Sequence, residues 1–262
     1  MMRKQKIKSN KIMENKMNTV NNNPVKDLAG MTLAEIVTEN IKAAVVFEEY
    51  GLDFCCKGKR SLTEACAEKN VNFGDVINSL SELEVRGPSL RINDWTPDFL
   101  VDYIINNHHQ YIRRMIPTIS LHADKVASVH GQNHPETIWI ADLFLGVREE
   151  LENHMMKEER ILFPYIKQLC EAQENNKQVT PPPFGTIRSP ISMMEAEHTN
   201  AGEALYKIRE LSDNFDFPVD ACNTFKALYS ELKEFEEDLH KHIHLENNVL
   251  FPTSIELEEE LL

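Results

Sequence analysis

Apolar side chains recur at alternating steps of three and four residues along four long segments of the chain. This period places them on one face of an α-helix. Proline stands at the start of each segment, where the N–H that it lacks would go unpaired anyway. Short polar stretches separate the segments. The pattern predicts an all-α fold, an antiparallel four-helix bundle with helices at about 97–129, 135–173, 190–213 and 218–249.

The chain before this bundle has a different pattern. Residues 1–26 are rich in Lys and Asn and carry almost no apolar period, which predicts a disordered basic tail. Residues 27–88 contain two sequences of the capping-box type, at Thr32 and at Ser61, each with Glu three residues later. We therefore expect a small helical domain at 27–88, which ends at Gly87-Pro88, and the bundle at 89–255.

A histidine replaces the expected apolar residue on the buried face of each bundle helix. These are His154, His198, His242 and, on the first helix, His108 or His109. A single core histidine is most often just a hydrogen-bonded residue. Here two carboxylates, Glu158 and Glu246, share the buried faces, and burying ionised carboxylates without compensation costs several kcal/mol each. The pattern therefore predicts a bound cation.

Two copies of one sequence pattern carry most of these residues. The stretch HMMKEERILFP begins at His154, and HIHLENNVLFP begins at His242, with His, Glu and Phe-Pro at identical spacing. Histidine and glutamate four residues apart share a helix face. Each copy is preceded by a lone histidine at a nearly equal distance upstream, which predicts two similar α-hairpins. We expect the Phe-Pro pair to stop each helix beyond the site.

The number and type of candidate ligands indicate the metal. Four imidazoles and two carboxylates exceed what one tetrahedral zinc needs. They suit two iron ions that are bridged by both carboxylates and by an oxo or hydroxo group. About one position per iron would remain open for O₂ or NO.

Three further sequence features allow other interpretations. Glu150 lies one turn before His154 and is either an additional carboxylate beside the metal site or a solvated charge. Glu195-x-x-His198 and Glu237-x-x-His240 resemble the Glu-x-x-His signature of ferritin-like di-iron proteins. Those sites are dominated by carboxylates, however, and His240 lies off the buried face that His242 occupies.

Together with GLDFCCKGKRSLTEAC near the N-terminus, the two repeated stretches resemble a known family. The chain is similar over about residues 27–253 to the di-iron iron–sulfur cluster repair proteins, or Repair of Iron Centres family. The resemblance implies a haemerythrin-like bundle behind a cysteine-bearing domain, with a non-haem di-iron centre. It also implies repair of clusters damaged by oxidative or nitrosative stress, by supply of iron. The implied ligands are His109, His154, Glu158, His198, His242 and Glu246.

The adjacent cysteines Cys55 and Cys56 are a second candidate site. They are either two ordinary reduced thiols or, as the resemblance suggests, a functional pair that holds iron or exchanges electrons. The basic residues Lys57, Lys59 and Arg60 would lower a thiol pKa and favour the reactive thiolate.

Charge and composition limit the partners. The formal net charge of −14 argues against nucleic acid or an anionic membrane surface. No segment resembles a membrane span or a signal peptide, so we expect a cytoplasmic protein whose partners are damaged iron–sulfur proteins. A homodimer is left open. Haemerythrin-like binding or sensing of O₂ or NO, and reduction of NO, are the alternative functions.

Overall fold

The computed structural model describes residues 28–84 and 92–262, and within these ranges the chain is helical and contains no strand. The predicted tail at 1–26 and the Gly87-Pro88 linker lie outside the described residues. Four short helices form the N-terminal part: α1 (Leu33–Glu39), α2 (Ala43–Glu49), α3 (Leu62–Lys69) and α4 (Phe73–Glu84).

Both predicted capping boxes are present. Thr32 caps α1 together with Glu35, and Ser61 caps α3 together with Glu64. Each pair satisfies backbone N–H groups that a helix start would otherwise leave without partners.

The bundle consists of four long helices, three of which contain one π-helical turn. A 3₁₀ turn (Ile92–Asp94) precedes them. In chain order, the helices are α5 (Pro97–Ile104), a π turn (Ile105–His109) and α6 (Gln110–His130); α7 (Glu136–Lys157), a π turn (Glu158–Leu162) and α8 (Phe163–Glu174); α9 (Arg188–Leu211); and α10 (Asn223–Leu245), a π turn (Glu246–Leu250) and α11 (Phe251–Leu261).

The antiparallel four-helix bundle is confirmed, but two of its expected boundaries are wrong. The last helix begins at Asn223 rather than at Pro218, because residues 218–222 form a turn. The Phe-Pro pairs do not stop their helices, which continue to Glu174 and Leu261. A π turn before each proline widens the helix, so the proline ring is accommodated without the usual clash with the preceding turn.

Two apolar clusters enclose a polar layer in the bundle. One cluster joins the N-terminal helices to the adjacent part of the bundle, from Ile112 to Val126 on α6 and from Phe225 to Ile243 on α10. The other fills the opposite end around Leu162, Ile191 and Leu250. The candidate ligands lie between the two clusters, and this arrangement excludes water from them.

A buried carboxylate fixes the helix that carries His198. Glu258 on α11 accepts hydrogen bonds from the backbone N–H of Ile187 at 3.0 Å and from the hydroxyl groups of Tyr165 and Thr186. It therefore satisfies the start of α9. No helix in the described ranges is both long and apolar enough to cross a bilayer.

Candidate metal centre

The two shared carboxylates stand at the first residue of a π turn. The N–H of Phe163 donates to the carbonyl of Glu158, five residues back, and the N–H of Phe251 donates in the same way to Glu246. Single π turns inside α-helices are frequent at functional sites. Each turn also directs its phenylalanine onto a ligand ring: Phe163 stacks on His109 with centroids 5.6 Å apart, and Phe251 stacks on His198 at 6.1 Å.

The structure brings together all six side chains that the sequence and the resemblance indicated. They form two sets that share both carboxylates, and within each set the ligand atoms lie within 4.8 Å of one another. The six residues are less than 3% exposed. The first set is His109, His242, Glu158 and Glu246, and the second is His154, His198, Glu158 and Glu246.

The outward-facing nitrogens of three ligand histidines are held by hydrogen bonds. His109 Nδ1 donates to Glu159 Oε1 at 2.6 Å, and His154 Nδ1 donates to Glu197 Oε2 at 2.9 Å. His198 Nδ1 donates to Asn247 Oδ1 at 2.8 Å. Such partners fix the ring orientation and leave the other nitrogen free for a metal.

The fourth ligand histidine lacks such a partner. Nδ1 of His242 is buried without a hydrogen bond, while its Nε2 lies 2.9 Å from Glu246 Oε1. The ring of His108 stacks on it almost in parallel, with centroids 5.6 Å apart. In the first ligand set, a hydrogen bond therefore fixes the ring of His109 from the outer side but not the ring of His242.

The donor set fits a cation. His109 Nε2, both carboxylate oxygens of Glu158 and Glu246 Oε2 are buried without a hydrogen-bond partner. Nε2 atoms of His154 and His198 face each other at 3.0 Å. Buried polar atoms without partners are costly, and ring nitrogens and carboxylate oxygens that face one another are what a cation would satisfy.

The ionisation states of the carboxylates in the cluster also suit the binding of a cation. Burial alone would raise the pKa of Glu246, but His242 and His198 hold it well below its ordinary value. Burial and Glu246 oppose ionisation of Glu158, yet its histidine neighbours lower its pKa. Burial opposes protonation of His154, but Glu158 and Glu246 raise its pKa to about 9. Metal binding at this imidazole must therefore displace a proton.

The structure distinguishes the residues that the sequence left open. His108 lies outside both ligand sets, and its Nδ1 is 3.1 Å from the carboxylate oxygens of Asp238. Glu150 is exposed and belongs to neither set, which favours its interpretation as a solvated charge. His240 bonds Glu48 of α2 at 2.5 Å and belongs to neither set, which argues against the ferritin-like interpretation.

Sequence reasoning missed the partners of the ligand histidines. Glu159 and Asn247 occupy equivalent positions in the two repeated stretches, one residue after each shared carboxylate, and Glu197 directly precedes His198. The repeat alignment could have indicated the first two as a pair. Their orientation could not be read from the sequence, because it depends on the π turns.

The cysteine pair lies in the loop between α2 and α3. Cys55 is buried, Cys56 is half-buried, and their Sγ atoms are 3.7 Å apart. With a carboxylate oxygen of Asp53 they form a third group that could hold a metal ion.

The expectation that basic neighbours lower the thiol pKa is wrong for Cys55. The hydrogen bond to Cys56, burial and the carboxylate of Asp53 together raise the pKa of Cys55 well above its ordinary value. Lys57 and Lys59 are exposed, and Arg60 is paired with Glu68, so these charges do not act on the buried thiol.

The N-terminal helices contact the bundle through a partly buried ion network. Glu48 bonds His240 of α10 and lies 3.5 Å from Arg209 of α9, which in turn bonds Glu236. Burial opposes protonation of His240, but Glu48 raises its pKa to about 9. A cleft of about 710 Å³ beside this contact is lined by the Cys55–Cys56 loop and by α9.

Fold and ligand geometry together define a class of protein. The family model described as Hemerythrin HHE cation binding domain matches residues 100–254, which contain all six candidate ligands. The ScdA_N model, described as a Domain of Unknown function (DUF542), matches residues 29–84, which contain both cysteines. The chain is thus a haemerythrin-like, cation-binding helical protein with an additional N-terminal domain.

Curated relatives define the family more closely. "Iron-sulfur cluster repair protein YtfE" of Musicola paradisiaca is 36% identical over 230 residues, with 86% of this chain and 96% of the relative covered. "Probable iron-sulfur cluster repair protein" of Haemophilus influenzae is 37% identical with the same coverage. YtfE of Escherichia coli O1:K1 is 37% identical over 226 residues, covering 85% and 96%. The chain belongs to the family of the iron–sulfur cluster repair proteins.

Proposed function

We propose that the protein holds two non-haem iron ions at the two ligand sets and repairs damaged iron–sulfur clusters by supplying iron. His109 and His242 would bind one ion, and His154 and His198 the other, with Glu158 and Glu246 shared. The sharing of both carboxylates is the observation that supports two ions rather than one. The names of the relatives support the repair function.

The cysteine loop supports delivery rather than mere storage. Cys56 Sγ lies 3.9 Å from the backbone carbonyl of the candidate ligand His198. The thiols also line the 710 Å³ cleft, which is open to the surface. We propose that Cys55, Cys56 and Asp53 form an intermediate binding position for iron that leaves the bundle, because thiolate and carboxylate are suitable iron ligands.

Reversible binding of O₂ or NO, and reduction of NO, use the same ligand sets. Neither function requires a thiol pair beside the metal site, whereas delivery to a damaged cluster uses one. The lability of the bound iron separates these functions, because a donor must release its metal and a gas carrier should retain it.

The test is the iron content of the purified protein and the rate at which a chelator removes it. We expect about two ions per chain, one for each ligand set, and removal on the timescale of cluster repair. His242→Ala should lose the ion of the first set, because that set then keeps one imidazole. The control is Glu150→Ala, which changes an exposed residue of α7 outside both ligand sets, and this variant should keep both ions.

A second measurement tests the repair function directly. Iron-loaded protein is mixed with an iron–sulfur enzyme inactivated by NO or peroxide, and recovery of activity is followed with and without Cys55→Ser/Cys56→Ser. We expect recovery with the parent and a clear loss with the double variant. Tightly held iron and no recovery would favour gas binding, and a chain that binds no iron would overturn the assignment of the ligands.

A further inference from the structure

One amide side chain connects the second ligand set to the cysteine loop. Asn247 Oδ1 accepts the hydrogen bond of His198 Nδ1 at 2.8 Å, and Asn247 Nδ2 lies 3.5 Å from the backbone carbonyl of Cys55 as a donor. Asn247 is 8% exposed. A buried residue on α10's π turn thus touches both a candidate ligand and the loop that carries the thiols.

Neighbouring contacts show that the loop is seated at this place. Asn248 Nδ2 donates to the same Cys55 carbonyl at 3.1 Å and lies 3.4 Å from the carbonyl of Phe54. Cys56 Sγ lies 3.9 Å from the carbonyl of His198. The long contact from Asn247 is therefore supported by two shorter contacts from Asn248 to the same segment.

The equivalent residue of the other hairpin makes no such connection. Glu159 also orients a ligand imidazole, that of His109, but its second contact is to Arg113, which is also part of the bundle. An ionised carboxylate can only accept hydrogen bonds, whereas an amide accepts with its oxygen and donates with its nitrogen. Asn247 has the chemistry needed to face an imidazole N–H on one side and a backbone carbonyl on the other.

We propose that Asn247 is a positioning residue that couples the His154–His198 ligand set to the Cys55–Cys56 loop. One orientation of its amide holds His198 as a ligand and holds the loop against the bundle. Displacement of the loop removes the donor contact and frees the amide to rotate, which loosens the orientation of His198. The inference rests on the proposed binding of iron at this set.

Coupling of this kind is reciprocal. If the position of the loop changes the affinity of the ligand set, occupancy of the set must change the position of the loop by the same factor. Exposure of the Cys56 thiol therefore reports on the occupancy of the ligand set, and the affinity of the set for iron reports on the position of the loop. A residue that merely stabilises the fold would not link the two measurements.

The experiment compares thiol labelling in the full-length protein with and without Fe(II). Iodoacetamide labelling of Cys56 is followed by peptide mass spectrometry under anaerobic conditions. We expect at least about fivefold slower labelling in the iron-loaded protein, the lower end of usual coupling factors. The exposed Cys222 serves as an internal reference, and its labelling rate should not change.

Two variants separate coupling from simple docking. Asn247→Asp keeps an acceptor for His198 Nδ1 but repels the Cys55 carbonyl. The rate of Cys56 labelling without iron, divided by the rate with iron, should therefore fall to about one while iron is still bound. Asn248→Ala removes a loop contact without touching His198. It should speed labelling in both states and leave the ratio as in the parent.

In the reciprocal arm, parent protein labelled at Cys56 should bind one of its two ions more weakly by the same factor. A ratio of one in iron-loaded parent protein, an unchanged ratio in Asn247→Asp, or an equal loss of the ratio in Asn248→Ala would each overturn the coupling and leave the proposed function intact. A parent chain that binds no iron would overturn both.

Discussion

The two repeated stretches, His154–Pro164 and His242–Pro252, place the same ligands with the same backbone and differ in what surrounds them. In both, a histidine is followed four residues later by a shared glutamate that opens a π turn. In both, the phenylalanine after that turn stacks on the lone ligand histidine of the same hairpin. The ligand geometry is therefore a property of the repeat.

The surroundings of the ligands do not follow the repeat. Glu197 accepts from His154, but the equivalent residue of the first hairpin is His108, which stacks on His242 and bonds Asp238 instead of a ligand histidine. In the second stretch, His244 lies 3.2 Å from the hydroxyl of Thr38 on α1, and Asn247 lies 3.5 Å from the carbonyl of Cys55. The equivalent of His244 in the first stretch, Met156, is exposed. Near-identical candidate ligand sets thus have unequal support, and we therefore expect metal affinity to depend on residues outside the ligands.

Loss of a shared carboxylate should have the largest effect and should be equal in the two copies. Each of Glu158 and Glu246 belongs to both ligand sets, so Glu158→Ala and Glu246→Ala should each weaken the binding of both ions. We expect losses of affinity beyond the roughly 10- to 100-fold typical of removing an outer partner. Metal titration checks this. A carboxylate variant that retains one ion at parental affinity would contradict the sharing.

Loss of an outer partner should affect one ligand set only. Glu197→Ala removes the acceptor of His154 Nδ1, so one ion should be held about 10- to 100-fold more weakly and the other as before. Removal of iron by a chelator should become biphasic. Glu203→Ala, an exposed position on the same helix, is the control. An equal loss of affinity for both ions would show that the outer partners do not act on each ligand set separately.

The contact with the N-terminal helices should contribute stability that the first copy does not have. Glu48→Ala leaves the buried side of His240 without its partner, and we expect a loss of about 1–3 kcal/mol in the free energy of unfolding. The equivalent of His240 in the first copy is Glu152, which forms a surface pair with Arg148. Glu152→Ala should cost less than about 1 kcal/mol. Urea unfolding of the metal-free proteins measures both, and equal losses would contradict the comparison.

The smallest effect should come from the end of the bundle away from the ligands. Asp220 raises the pKa of His134 above its ordinary value of 6.5. A raised pKa means that this pair stabilises the fold below pH 6.5 and that its contribution disappears as the pH rises through the raised value. Asp220→Asn should remove this small pH dependence, which thermal unfolding between pH 5 and 9 can detect, since these values bracket the imidazole titration. A pH profile that is the same in both proteins would show that the pair contributes nothing.

The sequence predicted the features that depend on apolar period and on ligand type. The four helices, both capping boxes and the convergence of His154, His198 and His242 follow from which residues share a helix face. The choice between His108 and His109 could not follow from that face, because both lie in the π turn Ile105–His109, where the usual helical angle between neighbours changes.

Other features depend on contacts between segments that are distant in the chain. The raised pKa of Cys55 results from its hydrogen bond to Cys56, from burial and from Asp53, and the burial depends on how the loop packs, which a local count of basic residues does not reveal. The contact between Glu48 and His240 joins residues in different domains. The continuation of helices through Pro164 and Pro252 required knowledge of the preceding π turns, because proline alone predicts a break.

The π turns also determine where the chain tolerates a change in length. Each holds one residue more than an α-helical turn, so deleting a single residue between Glu246 and Phe251 would restore a regular helix. The N–H of Phe251 could then keep its bond to the Glu246 carbonyl as an ordinary i→i−4 bond, so the helix downstream would keep its place and the residues inside the turn would lose theirs. Phe251 would stay on His198, but Asn247 would leave His198 and the Cys55 carbonyl. Additional residues at 175–178, where the connection is exposed, would move none of these contacts, so length variation should accumulate there and be absent from the π turns.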